Sequence, residues 1–410
     1  MEEIRDRVAG LDVHRDQVVA CVRVAEGRHV KTVKRSFPTT TAGVAELGAW
    51  LVDQGAGTAA MEATGVYWKP VYYGLEGLVG ELWLVNATHV KRVPGRKTDM
   101  SDAEWLADVA AHGMVRPNFV PPPPIRELRE LTRYRKTQVD ARVKEIQRLE
   151  KVLQDAGIKL TSVASRTWSK SALAMVEALI AGERDPHQLA ELSKSRMRAK
   201  KDRLVEALSG RFGAHHAVVA RQILSHISFL DASIDRLTIE IVERMRPFEP
   251  AIALLCGIPG WGRPTAEVFV AETGGDMSAF PTPGALAAWS GMAPGSHESA
   301  GKRRSVAAVR GNRWLGRALI EAARGAARTK DTYLGAQYRR LAPRRGPNKA
   351  SVAVAHSMVV SAWHMLSSGE TYNELGADYF TRRHDPHRQV RHLTHQLQQL
   401  GYTVSITPAA

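Results

Sequence analysis

Four acids in the first quarter of the chain, Asp12, Glu62, Asp99 and Asp102, have the residue type and setting of ligands for hard cations. Asp12 lies between Leu11 and Val13, and Glu62 follows Ala60 and Met61, so each carboxylate sits among apolar residues of strand-like segments. A carboxylate in such a setting is costly unless something pairs with it, and an oxygen-seeking cation is one such partner. Asp99 and Asp102 are three apart, and an opening helical turn over Thr98–His112 projects both from one face. Four acids around two Mg2+ ions about 4 Å apart can activate an attacking oxygen and stabilise a leaving one in phosphoryl transfer. Mn2+ accepts the same oxygen set. In the competing reading each acid is structural, so that Asp12 caps a turn, Glu62 forms an ion pair, and Asp99 and Asp102 favour a helix N-terminus electrostatically. Asp16 falls in a turn, Glu104 is a neighbouring decoy, and Asp108 reads as a solvated helix-face acid.

A second chemical candidate lies far downstream. Ser299 stands between Gly295 and Gly301, where backbone can approach a phosphate closely, and Lys302, Arg303 and Arg304 follow at once. A serine hydroxyl becomes a nucleophile only when a base, metal or cationic setting favours its alkoxide, and these cations can hold a phosphate and offset developing charge. Equally open on residue chemistry is a basic loop that grips a phosphate backbone, with Ser299 as one more contact. Ser296 and Ser305 are competing hydroxyls. Upstream, Ile258-Pro259-Gly260-Trp261-Gly262, followed by a helix starting near Thr265, has the form of a helix-hairpin-helix turn. Backbone amides at Gly260 and Gly262 can contact a phosphate there without reading sequence, although a structural helix connection explains the motif as well. Downstream, Arg313, Arg317, Arg324, Arg328, Arg339, Arg340, Arg344 and Arg345 crowd a stretch holding only Glu321 and Asp331 as acids. That density reads as a nucleic-acid-binding face. Tyr333 and Tyr338 could stack on bases, but burial is the commoner fate of such rings.

The elements that must carry these residues can be outlined from periodicity. Ala9–Val13, Gln17–Val24 and His29–Lys34 alternate as an antiparallel meander; a helix over Ala42–Val52, a strand at Thr58–Glu62, a helix around Tyr67–Leu78 and a strand at Glu81–Asn86 follow. The helix over Thr98–His112, with Thr98 or Asp99 as N-cap, closes an α/β layer of ribonuclease-H-like type. Pro121–Pro124 reads as a stiff spacer outside regular structure, and a domain boundary is placed there. Beyond it come a charged helix over Ile125–Gly157 and a second over Ala217–Arg246. In the second, Ile223, Ile227, Leu230, Ile234, Leu237 and Ile241 recur at alternating spacings of four and three, the seam of a coiled-coil hairpin within one chain or between chains. The expected division is therefore 1–120 for an α/β catalytic domain, 121–248 for a helical coiled-coil region, 249–380 for a mainly helical domain carrying Ser299, and 381–410 for a basic tail.

Composition narrows the partners. The chain carries 57 Lys and Arg against 42 Asp and Glu, a net +15 that favours a polyanion such as nucleic acid. Cys21 and Cys256 are too far apart for a disulfide framework and have no ligand-spaced neighbours for zinc. No apolar run approaches membrane-spanning length and the N-terminus is charged, so the expectation is a cytoplasmic, nucleoid-associated protein with no membrane partner.

Taken in order, Leu11-Asp12-Val13, Met61-Glu62-Ala63-Thr64-Gly65-Val66-Tyr67, Val85-Asn86-Ala87 and Lys97-Thr98-Asp99-Met100-Ser101-Asp102-Ala103 resemble the N-terminal domain of the DEDD-type insertion-sequence transposases. Gly257-Ile258-Pro259-Gly260-Trp261-Gly262, Trp289-Ser290-Gly291-Met292-Ala293-Pro294-Gly295 and His297-Glu298-Ser299-Ala300-Gly301-Lys302-Arg303 extend the resemblance through the C-terminal half. The resemblance implies an N-terminal fold like the Holliday-junction resolvase RuvC, with Asp12, Glu62, Asp99 and Asp102 as the metal-binding acids and Ser299 as the nucleophile. It implies strand exchange between donor and target double-stranded DNA through a covalent serine–DNA link, guided by a structured bridge RNA encoded by the element. The sequence departs from the family pattern at Val306-Ala307-Ala308-Val309, apolar where the family carries Gly and basic or hydroxylated residues. Because the acids and Ser299 are far apart in sequence, a homo-oligomer in which one subunit's acids meet another's serine is expected. A metal-dependent RuvC-like endonuclease that needs no Ser299, and a non-catalytic nucleic-acid-binding protein, are the alternative functions.

Overall fold

The structure, a computed structural model, describes residues 5–27, 29–87, 90, 101–164, 169–295, 298–299, 302–303, 311–382 and 386–406. The chain divides into two compact units, Met1–Val120 and Pro121–Ala410.

The first unit is built on a five-stranded sheet. Strands β1 (Arg7–Val13), β2 (Gln17–Glu26) and β3 (His29–Pro38) form the antiparallel meander, and β4 (Thr58–Glu62) and β5 (Glu81–Val85) add parallel strands on the other side of β1, in the order β3-β2-β1-β4-β5. Side chains alternate across a strand, so each strand here feeds two cores. Ala9 and Leu11 of β1 and Ala59 and Met61 of β4 join one cluster that also holds Val44, Leu47 and Leu51 of helix α1 (Thr41–Asp53) and Val71 and Leu75 of α2 (Trp68–Leu75). Val8 of β1, Ala60 of β4 and Val85 of β5 face the opposite way, against Trp105, Leu106 and Val109 of α3 (Asp102–Ala111).

The start of α3 corrects the expected helix over Thr98–His112. Ser101 is extended (φ −66°, ψ 156°) and its hydroxyl accepts from the Glu104 N–H, so the helix begins at Asp102. The cap is Ser101 rather than Thr98 or Asp99, because its oxygen satisfies an otherwise orphan helix donor. Asp102 is the first residue of α3, and Asp99 lies outside the described residues. Asp108 departs from its reading as a solvated acid: it pairs at 3.2 Å with Arg23 Nε of β2, whose side chain is buried, and so ties α3 to the sheet.

The second unit is mainly helical. Helix α4 (Pro123–Asp155) begins inside the proline run expected to stay outside helices. Pro123 and Pro124 fit there because the first helical turn needs no N–H donors. Helices α5 (Lys170–Ala181), α6 (Pro186–Glu191) and α7 (Lys201–Leu208) precede α8 (Ala214–Met245). Glu127 pairs with Arg244, Arg142 with Asp231, Glu145 with His226 and Asp155 with His216, so α4 and α8 run antiparallel. Ile223, Ile227, Leu230 and Ile241 of the α8 seam are buried, whereas Ile234 and Leu237 are only half-buried. The seam is closed at both ends and loosened in the middle.

Helices α9 (Glu249–Cys256), α10 (Arg263–Thr273), α11 (Pro283–Trp289), α12 (Arg313–Ala326), α13 (Tyr333–Arg345) and α14 (Pro347–Ser368) follow, then short α15 (Tyr379–Arg382) and C-terminal α16 (Pro386–Gln399). Ion pairs join α4 to α10. Arg133 of α4 grips Glu272 of α10 through both carboxylate oxygens at 2.7 and 2.8 Å, and Arg135 binds Glu267 at 2.7 Å. Tyr333 is half-buried with its ring against Phe380 (centroids 5.1 Å apart, 22° between planes), which takes one of its stacking faces.

Candidate active site

The first strand positions its acid by pairing. Leu11 of β1 stands opposite Met61 of β4 in parallel register, which brings the next residues, Asp12 and Glu62, abreast at the C-terminal ends of adjacent strands. Neighbouring strands run about 4.8 Å apart. Alternation from Val8 and from Ala60 turns both carboxylates to the face covered by α3. Residue 10 determines how near α3 comes. A Cβ on Gly10 would lie 2.0 Å from the Ala103 carbonyl oxygen and 2.5 Å from the Ala107 nitrogen, so only glycine lets the helix backbone rest on β1. Ala103 follows Asp102, and the contact therefore delivers the helix start, with Asp102 as its first residue, to the strand that bears Asp12.

Three of the four sequence-predicted acids are thus brought to one edge of one sheet. Asp12 is about a quarter exposed, and its Oδ2 lies 3.0 Å from His14 Nε2. Sequence reasoning misses His14; its signal is its position two residues past Asp12, just beyond the strand. Thr64 directs its hydroxyl toward Glu62 Oε2 at 3.5 Å, and the backbone after Glu62 is held by the Ala63 N–H on the Val85 carbonyl at 2.9 Å. Glu104, in the first turn of α3, is occupied by Lys34 at 2.5 Å; that contact raises the lysine pKa. The oxygens of Asp12, Glu62 and Asp102 do not all lie within 4.8 Å of one another. An oxygen-only donor set of this kind suits Mg2+ or Mn2+ rather than a softer metal.

Among the described residues, one His/Asp group does lie within single-ion reach: Asp155, His215 and His216, where α4 ends and α8 begins. Both nitrogens of His216 are already engaged. Nδ1 accepts from the Gly213 N–H at 3.0 Å and Nε2 meets Asp155 at 3.0 Å, an arrangement that caps α8.

In the second unit, Ser299 lies in a two-residue hairpin, Glu298–Ser299 paired with Lys302–Arg303. Ser296, Arg304 and Ser305 lie outside the described residues. The hairpin belongs to the stretch between Gly291 and Gly311, whose ends meet: a Cβ at Gly311 would fall 2.1 Å from the Gly291 nitrogen, and the Asn312 N–H donates to the Trp289 carbonyl at 2.9 Å. Beside this neck runs a groove of about 800 Å³, lined among others by Lys136 and Lys144 of α4 and by Arg313, Arg317 and Arg324 of α12. Arg313 and Arg317 are exposed. Asp140 and Glu321 also line the groove, each within 3.0 to 3.2 Å of Lys136 Nζ, so its net charge is positive but not unopposed.

At the helix-hairpin-helix turn, the second helix begins at Arg263, with Gly262 as N-cap, rather than near Thr265. Gly260 has φ +88°, and a Cβ there would meet the Ala322 carbonyl at 2.5 Å and the Ala326 nitrogen at 2.7 Å. Gly260 is thereby explained by its close approach to α12.

Comparison with known proteins accounts for both units. A DEDD transposase model named for IS110 matches residues 9–158, and the transposase model of the IS116/IS110/IS902 family matches residues 252–339. The transposase for insertion sequence element IS1111A of Coxiella burnetii (strain RSA 493 / Nine Mile phase I) is 26% identical over 377 residues, covering 89% of this chain and 91% of that protein. The first match takes in Asp12, Glu62, Asp99 and Asp102, and the second takes in Ser299. The chain belongs to the IS110-type DEDD transposases.

Proposed function

We propose that this transposase cuts and rejoins DNA strands with two sets of residues, the metal-binding acids Asp12, Glu62, Asp99 and Asp102 and the nucleophile Ser299. The observation that carries the reading is the juxtaposition of Asp12 and Glu62 on adjacent parallel strands, with Asp102 brought alongside by the Gly10 contact. The strand order β3-β2-β1-β4-β5, antiparallel then parallel, supports a ribonuclease-H-like, RuvC-like sheet. Bound to these acids, Mg2+ or Mn2+ would supply activation of the attacking oxygen and neutralisation of charge on the leaving one. His14 holds Asp12 in orientation.

In the cleavage step the Ser299 Oγ forms a bond to phosphorus while the bond from phosphorus to one nucleotide oxygen breaks; the serine proton leaves and the departing oxygen takes one up. Attack by a hydroxyl of a second strand reverses the step and frees Ser299, which exchanges the strands without loss of phosphodiester energy. Lys302, Arg303 and Arg304 hold the phosphate. Arg313 and Arg317, with the groove beside the neck, track the backbone of donor or target DNA, and Gly260 and Gly262 give the turn amides access to phosphate. The family likeness supports guidance by a structured bridge RNA, for which the exposed arginines of α12 and α13 offer a cationic face. The antiparallel α4–α8 pair, read as a coiled-coil hairpin, serves assembly into a homo-oligomer. The domain limits 1–120, 121–248, 249–380 and 381–410 are part of the same proposal.

The test is to incubate the protein with Mg2+, RNA transcribed from the element's flank and labelled donor DNA. A protein–DNA adduct that is lost in Ser299→Ala is the expected outcome. Free cleaved ends that persist in that variant would instead assign a RuvC-like hydrolysis that needs only the acids.

A further inference from the structure

Glu272 is fully buried in α10, and burying a carboxylate demands compensation. Arg133 binds it through both oxygens, Arg129 approaches at 3.2 Å, and a third partner comes from a different element: Asn312 Nδ2 donates to Glu272 Oε2 at 2.6 Å. Asn312 is the N-cap of α12. Its Oδ1 accepts from the Trp314 and Leu315 N–H groups at 3.0 and 3.1 Å, so both ends of its amide are committed and its orientation is fixed. It is also the first residue after Gly311, where the stretch carrying Ser299 closes on Gly291, and its own N–H reaches the Trp289 carbonyl. One residue therefore joins the buried charge, the helix start and the neck of that stretch.

Buried ion pairs add little stability over apolar packing, but they can fix register where geometry matters. An isolated N-cap needs no buried carboxylate behind it. We propose that Glu272 is a positioning residue that acts through Asn312, locking the neck of the 292–310 segment to α4 and α10 so that Ser299 is presented in a fixed place. The inference rests on Ser299 as the nucleophile, and misplacement of a reacting group by about 1 Å can cost about 100-fold in rate.

Two variants of Asn312 separate positioning from folding. Asn312→Ser keeps a good N-cap but removes the link to Glu272. Asn312→Asp keeps the cap and sets a second carboxylate against Glu272. In the full-length protein with Mg2+, RNA and labelled DNA, N312S is expected to fold and bind DNA as the parent does, with a thermal midpoint only a few degrees lower. Its adduct should form about 10- to 100-fold more slowly. Trypsin should cut the native protein at Lys302 to Arg304 several-fold faster. N312D, which sets a second negative charge against the buried carboxylate, is expected to form the adduct at least as slowly as N312S. Parent rates and parent trypsin sensitivity in both folded variants would overturn the proposal. Ser299→Ala in parallel keeps the two readings apart: an adduct that persists there moves the nucleophile elsewhere, while the trypsin comparison still decides whether Glu272 holds the neck.

Discussion

At the residue scale, Gly10 is what lets α3 approach the strand that bears Asp12. Its missing side chain seats α3 on β1 and carries Asp102 to Asp12. Gly10→Ala drives a methyl into backbone that cannot yield, and should cost about 3 kcal/mol of stability in chemical denaturation. Gly57→Ala, where a Cβ meets nothing within 4 Å, should leave stability near the parent value and serves as its control. The cysteines give a second check. Burial pushes the Cys21 thiol up to about 11, while Cys256 is exposed at the end of α9. A thiol reagent should label Cys256 alone in the native protein and reach Cys21 only on unfolding. Because the folded state holds the Cys21 proton more tightly, its contribution is intact below pH 9.0 and is lost as pH rises toward about 11. Denaturation midpoints should fall over that window in the parent chain and less so in Cys21→Ala. Asp12 and Glu62 are legible in the sequence because a carboxylate inside an apolar strand is conspicuous. Glu272 and Asn312 are not, because a helix-borne glutamate looks solvated until its partners, 139 and 40 residues away, are known.

At the element scale, periodicity locates most strands and helices to within a few residues, and the antiparallel run of β1 to β3 follows from short turns. Local hydrogen bonding moves the boundaries. Ser101 starts α3 later than hydrophobic periodicity suggests, and Pro123 starts α4 earlier than a proline run suggests. The α8 seam shows a different limit: its spacing is regular, but the facing charges Arg142 and Asp231 hold the helices together where Ile234 and Leu237 remain half-open. Ile227→Ala, at a fully buried position, should cost about 2–5 kcal/mol, and Ile234→Ala clearly less, as read from urea unfolding midpoints. Equal losses would mean that the seam is uniformly closed.

At the scale of the whole molecule, the net charge of +15 predisposes the chain to nucleic acid, but charge alone distinguishes no enzyme from a mere binder. The transposase family matches make that distinction, at residues 9–158 and 252–339. The most direct measurement is Mg2+-dependent cleavage of donor DNA by Asp12→Asn, with DNA binding followed in the same samples. The substitution keeps the size and the strand pairing of the residue and removes one negative charge beside Glu62. The expected result is unchanged binding with strand cleavage reduced by about 100-fold or more. Cleavage at the parent rate, with binding equally intact, would contradict the assignment of the sheet edge as the metal-dependent active site.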